Sequence, residues 1–464
     1  MSYFGVPIRN GLPIGLGSVA GFGVQQFSPA DLFSAGEQGA WYDPSDFSTL
    51  FTDSAGTTPV TGVEQFVGRM NDKSGRGNHA TSTGTKRPKL AARYNLLTRT
   101  EEFDNGYWLK TAASITANTS ATTDPLGGNT ADAFVENSAT SAHAIEVSGG
   151  VVASAISYVF SIYAKYNGRV LQLATNLPGS NVYANFDLQN GTLGSASGVT
   201  SAISSVGNGW YRCSVTVTAV AGTRNVYPCT VTTTTSGFVA SYTGNGVDGV
   251  YLWGADLRPA SQATGLIGPT YQRVVDAATY DAVGFLPYLS FDGIDDSMLT
   301  GSINFTATDK MTVWAGVGKQ ADPVYGCLAE LSANDNLNNG AFSLFAPALG
   351  DGFSYAFSSR GTVKVAVGPG SSAYPAPNTN VATLQSNISG PIIVGRVNAS
   401  QVASSSSSQG TGNFGNYPLF IGQRGGSSLP FNGWLTSLIV RGAQSTQSQI
   451  EATESWVNGK TGAY

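Results

Sequence analysis

The sequence predicts an all-β protein of two β-sandwich or jelly-roll domains. The second is inserted into the first, with an extended N-terminal arm and one C-terminal helix. Three observations predict this. Only 11% of the 464 residues are charged, against about 25% in an average chain, yet 22 Phe, 20 Tyr and 7 Trp supply ample core material. That combination is unlike intrinsic disorder and fits a turn-rich protein with uncharged outer strand faces. Next, short period-2 segments recur between Gly-, Asn- and Ser-rich joints, the pattern of a sandwich. Finally, residues 288–298 (YLSFDGIDDSM) read as a half-buried strand running into a tight acidic turn at Asp292-Gly293. No clean mate lies just upstream. The best mate is residues 71–84 (NDKSGRGNHATSTG), so one sandwich is split around a second domain. The implied division is an arm at 1–28, a first sandwich part at 29–92, an insert at 93–275 and the remaining sandwich at 276–464.

Residues 1–26 are Gly-rich and apolar without periodicity and cannot form a core alone. They read either as a frayed terminus or as an arm that orders on docking; Phe4, Ile8, Leu12, Ile14, Leu16 and Phe22 favour the arm. Ser28-Pro29 starts a short helix. Trp41, Tyr42, Phe47 and Leu50 cluster in residues 39–50 and are expected to plug one end of the sandwich. In residues 71–83, Asp72, Ser74, Gly75, Gly77 and Asn78 are turn formers. They read as a turn held by Asx hydrogen bonds. They are also oxygen ligands suited to calcium, should Asp292, Asp295 or Asp296 arrive beside Asp72. Residues 87–93 leave the first domain. Glu101, Glu102, Phe103, Asp104 and Trp108 then read as cover for an open jelly-roll edge, or as carboxylates and a ring that bind sugar.

The insert carries β segments at 115–118, 131–135, 144–147, 158–166, 170–175, 182–188, 210–217, 226–232 and 250–257, with Asn190-Gly191 and Asn208-Gly209 as hairpin pairs. Tyr251 and Trp253 share one face of the last segment, and Val250 and Leu252 the other. One pair must be core, and the aromatics are the expected core pair, with ligand platform as the alternative. Cys213 and Cys229 lie in phase with apolar neighbours. A bridge is open to them if their strands pair, but three cysteines and no export signal favour reduced thiols. The return crossing spans 258–282. In the resumed sandwich, Trp314 falls on the less aliphatic face of segment 311–317. The loop 332–340 (SANDNLNNG) places Asn334, Asp335 and Asn336 where turns need them, and where short amides could meet glycan hydroxyls. Further segments at 342–345, 354–357, 363–367, 381–385, 392–398 and 419–422 follow, with a mobile serine loop at 404–408 and a closing strand pair at 430–441. The helix at 445–457 is capped by Thr446 with Gln449 or Ser448 with Glu451, and Gly459 stops it.

Several function classes are excluded. There is no run of five Lys or Arg at a net charge of −5, so no electrostatic footprint for nucleic acid. Two histidines, His79 and His143, cannot make a multi-His metal site. No common catalytic motif and no membrane-length apolar run occurs.

The stretches DKSGRGNHAT and LSFDGIDDSM resemble the opening of a laminin-G-like (concanavalin A-like) sandwich, and residues 430–441 (PFNGWLTSLIVR) resemble its last strand pair. Residues 95–108 (NLLTRTEEFDNGYW), 207–217 (GNGWYRCSVTV) and 242–257 (YTGNGVDGVYLWGADL) are similar to a phage head-spike or tail-fibre jelly roll of carbohydrate-binding-module type. The resemblance implies a tailed-bacteriophage virion protein, made in the host cytoplasm and exposed on the particle, typically a homotrimer. Its arm would contact other virion proteins, and its β domains a bacterial surface glycan. Expected glycan residues are Trp108, Tyr251, Trp253, Trp314, Asn334, Asp335 and Asn336; expected calcium residues are Asp72, Asn78, Asp292, Asp295 and Asp296. No catalytic motif accompanies the resemblance, so no enzyme is expected. The alternatives are a purely structural decoration protein and a depolymerase. The latter would need carboxyls about 5–9.5 Å apart, drawn from Asp292, Asp295 and Asp296 or from Glu101, Glu102 and Asp104.

Overall fold

The computed structural model describes residues 27–464, so the arm expected at 1–28 lies almost wholly outside the described residues. The fold is nearly all β, with one α-helix at Gln447–Thr461 among the described residues. Two sandwiches are present. One packs an eight-stranded sheet on a nine-stranded sheet, whose strands all fall within residues 39–91 or 288–441. Its core runs from Ala40 and Tyr42 through Phe291 and Val313 to Val440. The other packs two six-stranded sheets, all from residues 108–259, around Phe134, Phe160, Phe186 and Leu252.

The eight-stranded sheet is organised on Asn432–Arg441. This single strand, expected as a strand pair, pairs antiparallel with Gly39–Tyr42, Tyr288–Asp292 and Lys310–Lys319. Its residues after Leu435 are buried through Arg441, as a strand covered on both faces requires. Trp41 and Tyr42 therefore sit in a strand, not in a plug.

The acidic turn is not a hairpin. Tyr288–Asp292 belongs to the eight-stranded sheet and pairs with Lys89–Ala91. The next strand, Met298–Asn304, belongs to the nine-stranded sheet and meets Ala80–Thr81 at Leu299. Residues 293–297 are thus an arch from one sheet to the other. The expected partner, 71–84, does pair across the gap, but with the strand after the turn.

A short neck joins the sandwiches, and Gln272 ties it. Its Oε1 accepts from the N–H groups of Tyr94 (2.7 Å) and Asn95 (3.0 Å). Its Nε2 donates to the carbonyls of Ala92 (2.7 Å) and Asp281 (2.7 Å). The side chain is fully buried. Beside it, Arg258 and Asp256 form a buried pair at 2.7 Å.

The outer face of the eight-stranded sheet carries the helix. Thr446 and Gln449 form the capping box. The helix passes through Gly459 and ends at Gly462, whose φ of 54° a residue without Cβ adopts freely. Its Ile450 and Val457 pack on Trp314, Leu32, Phe33 and Ile439. The expected serine loop is partly strand, since Ser400–Ser405 forms the sheet edge. All three cysteines are free and buried. Cys213 faces the insert core, whereas Cys229 lies under Tyr183 and Tyr227 on the outside of the opposite sheet.

Two predictions follow from this packing. Trp314→Ala removes a fully buried indole and should cost about 3–5 kcal/mol in urea denaturation; a loss under about 1 kcal/mol would show that the helix does not depend on it. The second concerns the insert. Glu136 accepts from Arg169 at 2.6 and 2.7 Å and from Tyr242 and Asn245. Burial alone would raise its carboxyl, but these donors outweigh burial and hold it below the usual range. The linked stability is present above the unfolded carboxylate pKa of about 4.3 and lost as pH falls through the depressed folded value. Glu136→Gln should cost about 2 kcal/mol at neutral pH and flatten the acid limb of the insert's melting profile; an unchanged limb would assign that limb to other carboxyls.

Candidate functional site

The insert builds an aromatic cleft on the outward face of one of its sheets. Ser157–Asn167 and Gly249–Pro259 pair with a register shift between Ser161 and Tyr163. Gly254, at φ 62°, makes the shift possible, and a Cβ there would meet Tyr163 at 3.1 Å and Tyr271 at 3.2 Å. Strand alternation puts Val250 and Leu252 in the core and Tyr251 and Trp253 on the other face, and the irregularity then returns Ala255 and Leu257 to the core. Trp253 packs with Tyr271 at 4.9 Å and Tyr163 at 5.3 Å between ring centres. Its indole N–H donates to Thr130 Oγ1 (2.8 Å), so the ring is fixed from the loop side.

Residues 124–130 and 269–285 wall a cleft of about 1100 Å³ over these rings. Asp124 accepts backbone N–H bonds from Leu126, Gly128 and Thr130 and braces the first wall. On the other wall, Tyr271 donates to Glu101 Oε1 at 2.8 Å, and Arg273 lies 3.4 Å from Glu101 Oε2. Burial pushes Glu101 up against the lowering effects of Tyr271 and Arg273. Burial and the Glu101 charge push the Tyr271 phenol well up, so it stays a donor. Arg273 is 44% exposed and Asp281 is exposed at the rim. Leu126 and Val283, at 83% and 91% exposure, flank the mouth. Trp253 is 4% exposed and forms the floor. The ring faces offered to a ligand are those of the half-buried Tyr163 and Tyr271. They are bordered by fixed charged and polar groups that suit a ring with one apolar face and a hydroxylated edge.

Of the residues expected from sequence, Trp253 lines this cleft and Tyr251 lies in the same aromatic cluster. The expectation that these aromatics are core holds for Trp253, which is 4% exposed in a small cluster with Ala131 and Trp210. Tyr251 is half-buried beside it, and the aliphatic pair lies in the main core of the insert. Trp108 and Trp314 are fully buried and cannot be ligand platforms. Trp108 packs on Phe103 and donates to Arg99 O, and Trp314 lies under the helix. Asp335 is also buried, held by Arg424 at 2.5 Å, Lys364 at 2.8 Å and two serine hydroxyls. Asn336 accepts from Lys364 and Arg360, and Asn334 caps its own loop. That loop is a braced corner and not an open rim. The sequence reads Glu101 as edge cover, with sugar binding or a depolymerase carboxyl as the alternatives. Tyr271 and Arg273 fall in the return crossing, where no periodicity marks them.

Asp72 and the acidic turn do not form one cation site. Asp72 spends both oxygens on the N–H groups of Trp41, Ser74 and Asn78 and on the Ser74 hydroxyl. Asn78 donates to Gly39 O. Together they clamp the Gly39–Tyr42 strand, which is the Asx-turn reading. Asp292, Asp295 and Asp296 come within 4.8 Å of one another and are the carboxylates that would hold a hard cation. They also have a complete local role: Asp292 Oδ1 accepts from the N–H groups of Ile294 and Asp295, and Asp296 Oδ2 from that of Asp292. Burial, with the Asp292 charge next, pushes Asp296 up to about 7.

No protein-family profile and no curated protein sequence matches the chain. Among solved structures, it is similar to the CBM40 of the Ruminococcus gnavus IT-sialidase bound to α2,3-sialyllactose, at 14% identity and a TM-score of 0.26, over 32% of this chain and 83% of that one. Domain 4 of AbnA, a GH43 extracellular arabinanase from Geobacillus stearothermophilus, in complex with arabinotriose, is 12% identical with a TM-score of 0.29, over 38% and 78%. The heptameric SAP-like pentraxin of Limulus polyphemus is 14% identical with a TM-score of 0.27, over 35% and 78%. None of these overlaps assigns a ligand to the present chain.

Gly254→Ala tests the geometry. The left-handed φ costs a residue with a Cβ about 1–2 kcal/mol, and the added methyl presses on Tyr163 and Tyr271. Lower insert stability with shifted tryptophan fluorescence is expected; wild-type values for both would mean the aromatic cluster does not depend on this position.

Proposed function

We propose that this protein is a non-catalytic virion surface protein that attaches to a bacterial surface glycan through the Trp253 cleft. The carrying observation is that cleft itself: three packed rings, with Arg273 and Glu101 on one wall. A sugar's C–H face would lie on the open parts of the Tyr163 and Tyr271 rings above Trp253, and its hydroxyl or anionic groups would meet Arg273. Single contacts of this kind are weak. Many copies on a particle raise the effective concentration and give avidity without new contacts. The virion setting, a trimer and an arm bound to other virion proteins are supported by the sequence resemblance described above.

One observation favours a second reading. Glu101, raised by burial, shares the cleft with Asp281, and two carboxyls lining one cleft are what a glycosidase requires. In the first reading Glu101 orients Tyr271 and Arg273 and transfers no proton.

Pull-down of the purified protein by host cells, with released oligosaccharide assayed in the supernatant, separates the readings. Binding without release is expected, and Arg273→Ala should weaken it about tenfold, roughly 1.4 kcal/mol. Release abolished by Glu101→Gln would put the depolymerase first. Neither binding nor release would leave a structural decoration role.

A further inference from the structure

A second cavity, of about 630 Å³, lies where the two sandwiches meet, within the size range of small-molecule sites. The insert contributes Ser157 and the turn at 259–262; the outer sandwich contributes Gln320, Tyr374, Asn378 and Trp434. Trp434 is held in place. It lies across Gly318, where a Cβ would sit 1.8 Å from the indole, and packs on Tyr288 at 5.3 Å. Tyr374 is half-buried against Tyr355, with ring centres 6.0 Å apart.

Charge sets the ligand class. Among the described residues Arg93 is the one charged side chain that lines the cavity, and no carboxylate, lysine or histidine does. Arg93 donates from Nε to the carbonyl of Asn95 (3.2 Å) and from Nη2 to those of Leu96 (3.3 Å) and Leu97 (3.4 Å). The uncharged groups are free to act. Asn378 uses its Oδ1 on the Thr379 N–H and keeps its NH₂. The Gln320 amide, the Tyr374 hydroxyl and the Trp434 indole N–H make no hydrogen bond among the described residues, and all three residues line the cavity. Two aromatic rings with neutral donors and acceptors match a polyhydroxylated ring that carries no charge.

We infer that the junction of the two sandwiches is a second binding site, one for an uncharged saccharide. It is independent of the charged Trp253 cleft. Because both domains supply walls, its occupant also ties them together, and ligand bound only to the folded state raises stability by mass action.

The test uses the full chain and four neutral probes: maltotriose, cellotriose, mannobiose and N,N′-diacetylchitobiose, followed by saturation-transfer NMR and thermal shift. At least one probe should bind and raise the melting temperature. Gln320→Ala combined with Tyr374→Phe should weaken it about tenfold, while Arg273→Ala leaves it unchanged. The variant touches an exposed amide and one hydroxyl, and its unliganded melting temperature checks that it folds. Absence of binding by all four probes overturns the inference. So does binding that survives the double variant, and so does binding lost in Arg273→Ala, which would assign the sugar to the other cleft and leave the proposed function standing.

Discussion

The neck between the sandwiches depends on one buried amide. Gln272 satisfies four backbone groups from the chain entering the insert and the chain leaving it. Remove it and those groups stay buried without partners, at about 1–3 kcal/mol each. No helix or strand ladder could do this work, because the two segments meet where neither sheet continues. An amide suits the task, with two donors and two acceptor lone pairs on one short arm. Asp256 extends the arrangement by accepting from the Gln272 N–H at 2.9 Å while pairing with Arg258.

The same neck forms parts of both candidate clefts. Tyr271 and Arg273 flank Gln272 in sequence and wall the Trp253 cleft. Tyr94 and Asn95, which Gln272 also holds, lie along the junction cavity. Rigid placement of these walls comes from hydrogen bonds buried beneath them, not from the loops' own composition. The two clefts differ in charge because one opens toward Glu101, Arg273 and Asp281 and the other toward amides and hydroxyls.

Much of the fold was legible, for a physical reason. Strands with one apolar face announce themselves, and Val170–Thr175, Trp210–Thr218 and Lys310–Lys319 were found within a residue or two of their ends. Thr192–Ser197 and Thr200–Gly207 were missed. They are edge strands of Ser, Thr, Ala and Gly with mostly exposed residues, so they carry little burial pattern. The acidic turn and its distant mate were legible, but not that the mate pairs only with the strand after the turn, because turn residues do not say whether the chain stays in one sheet or arches to another. Of the residues that line the Trp253 cleft, the sequence names Trp253 as a ligand candidate and Glu101 as an alternative one, while Tyr251 lies in the adjoining cluster. Trp108 and Trp314 looked equivalent to Trp253, since burial of an indole depends on what covers it. In Trp314 the cover is a helix more than 130 positions later in the chain. Asp335 misled for a related reason: its loop is polar, but its partners Lys364 and Arg424 are remote.

The split order of the strands has a consequence for synthesis. By the time the ribosome has passed residue 285, the insert has every strand it needs, whereas the outer sandwich has only its first few short strands and lacks Asn432–Arg441, on which its eight-stranded sheet is organised. Domains fold as units while the chain emerges. The inner domain therefore matures first, and its Gln272 neck holds the early segment 92–95 beside the exit point of the chain. The outer sandwich is then completed around a finished guest, with its first strands already delivered to the place where their partners will arrive.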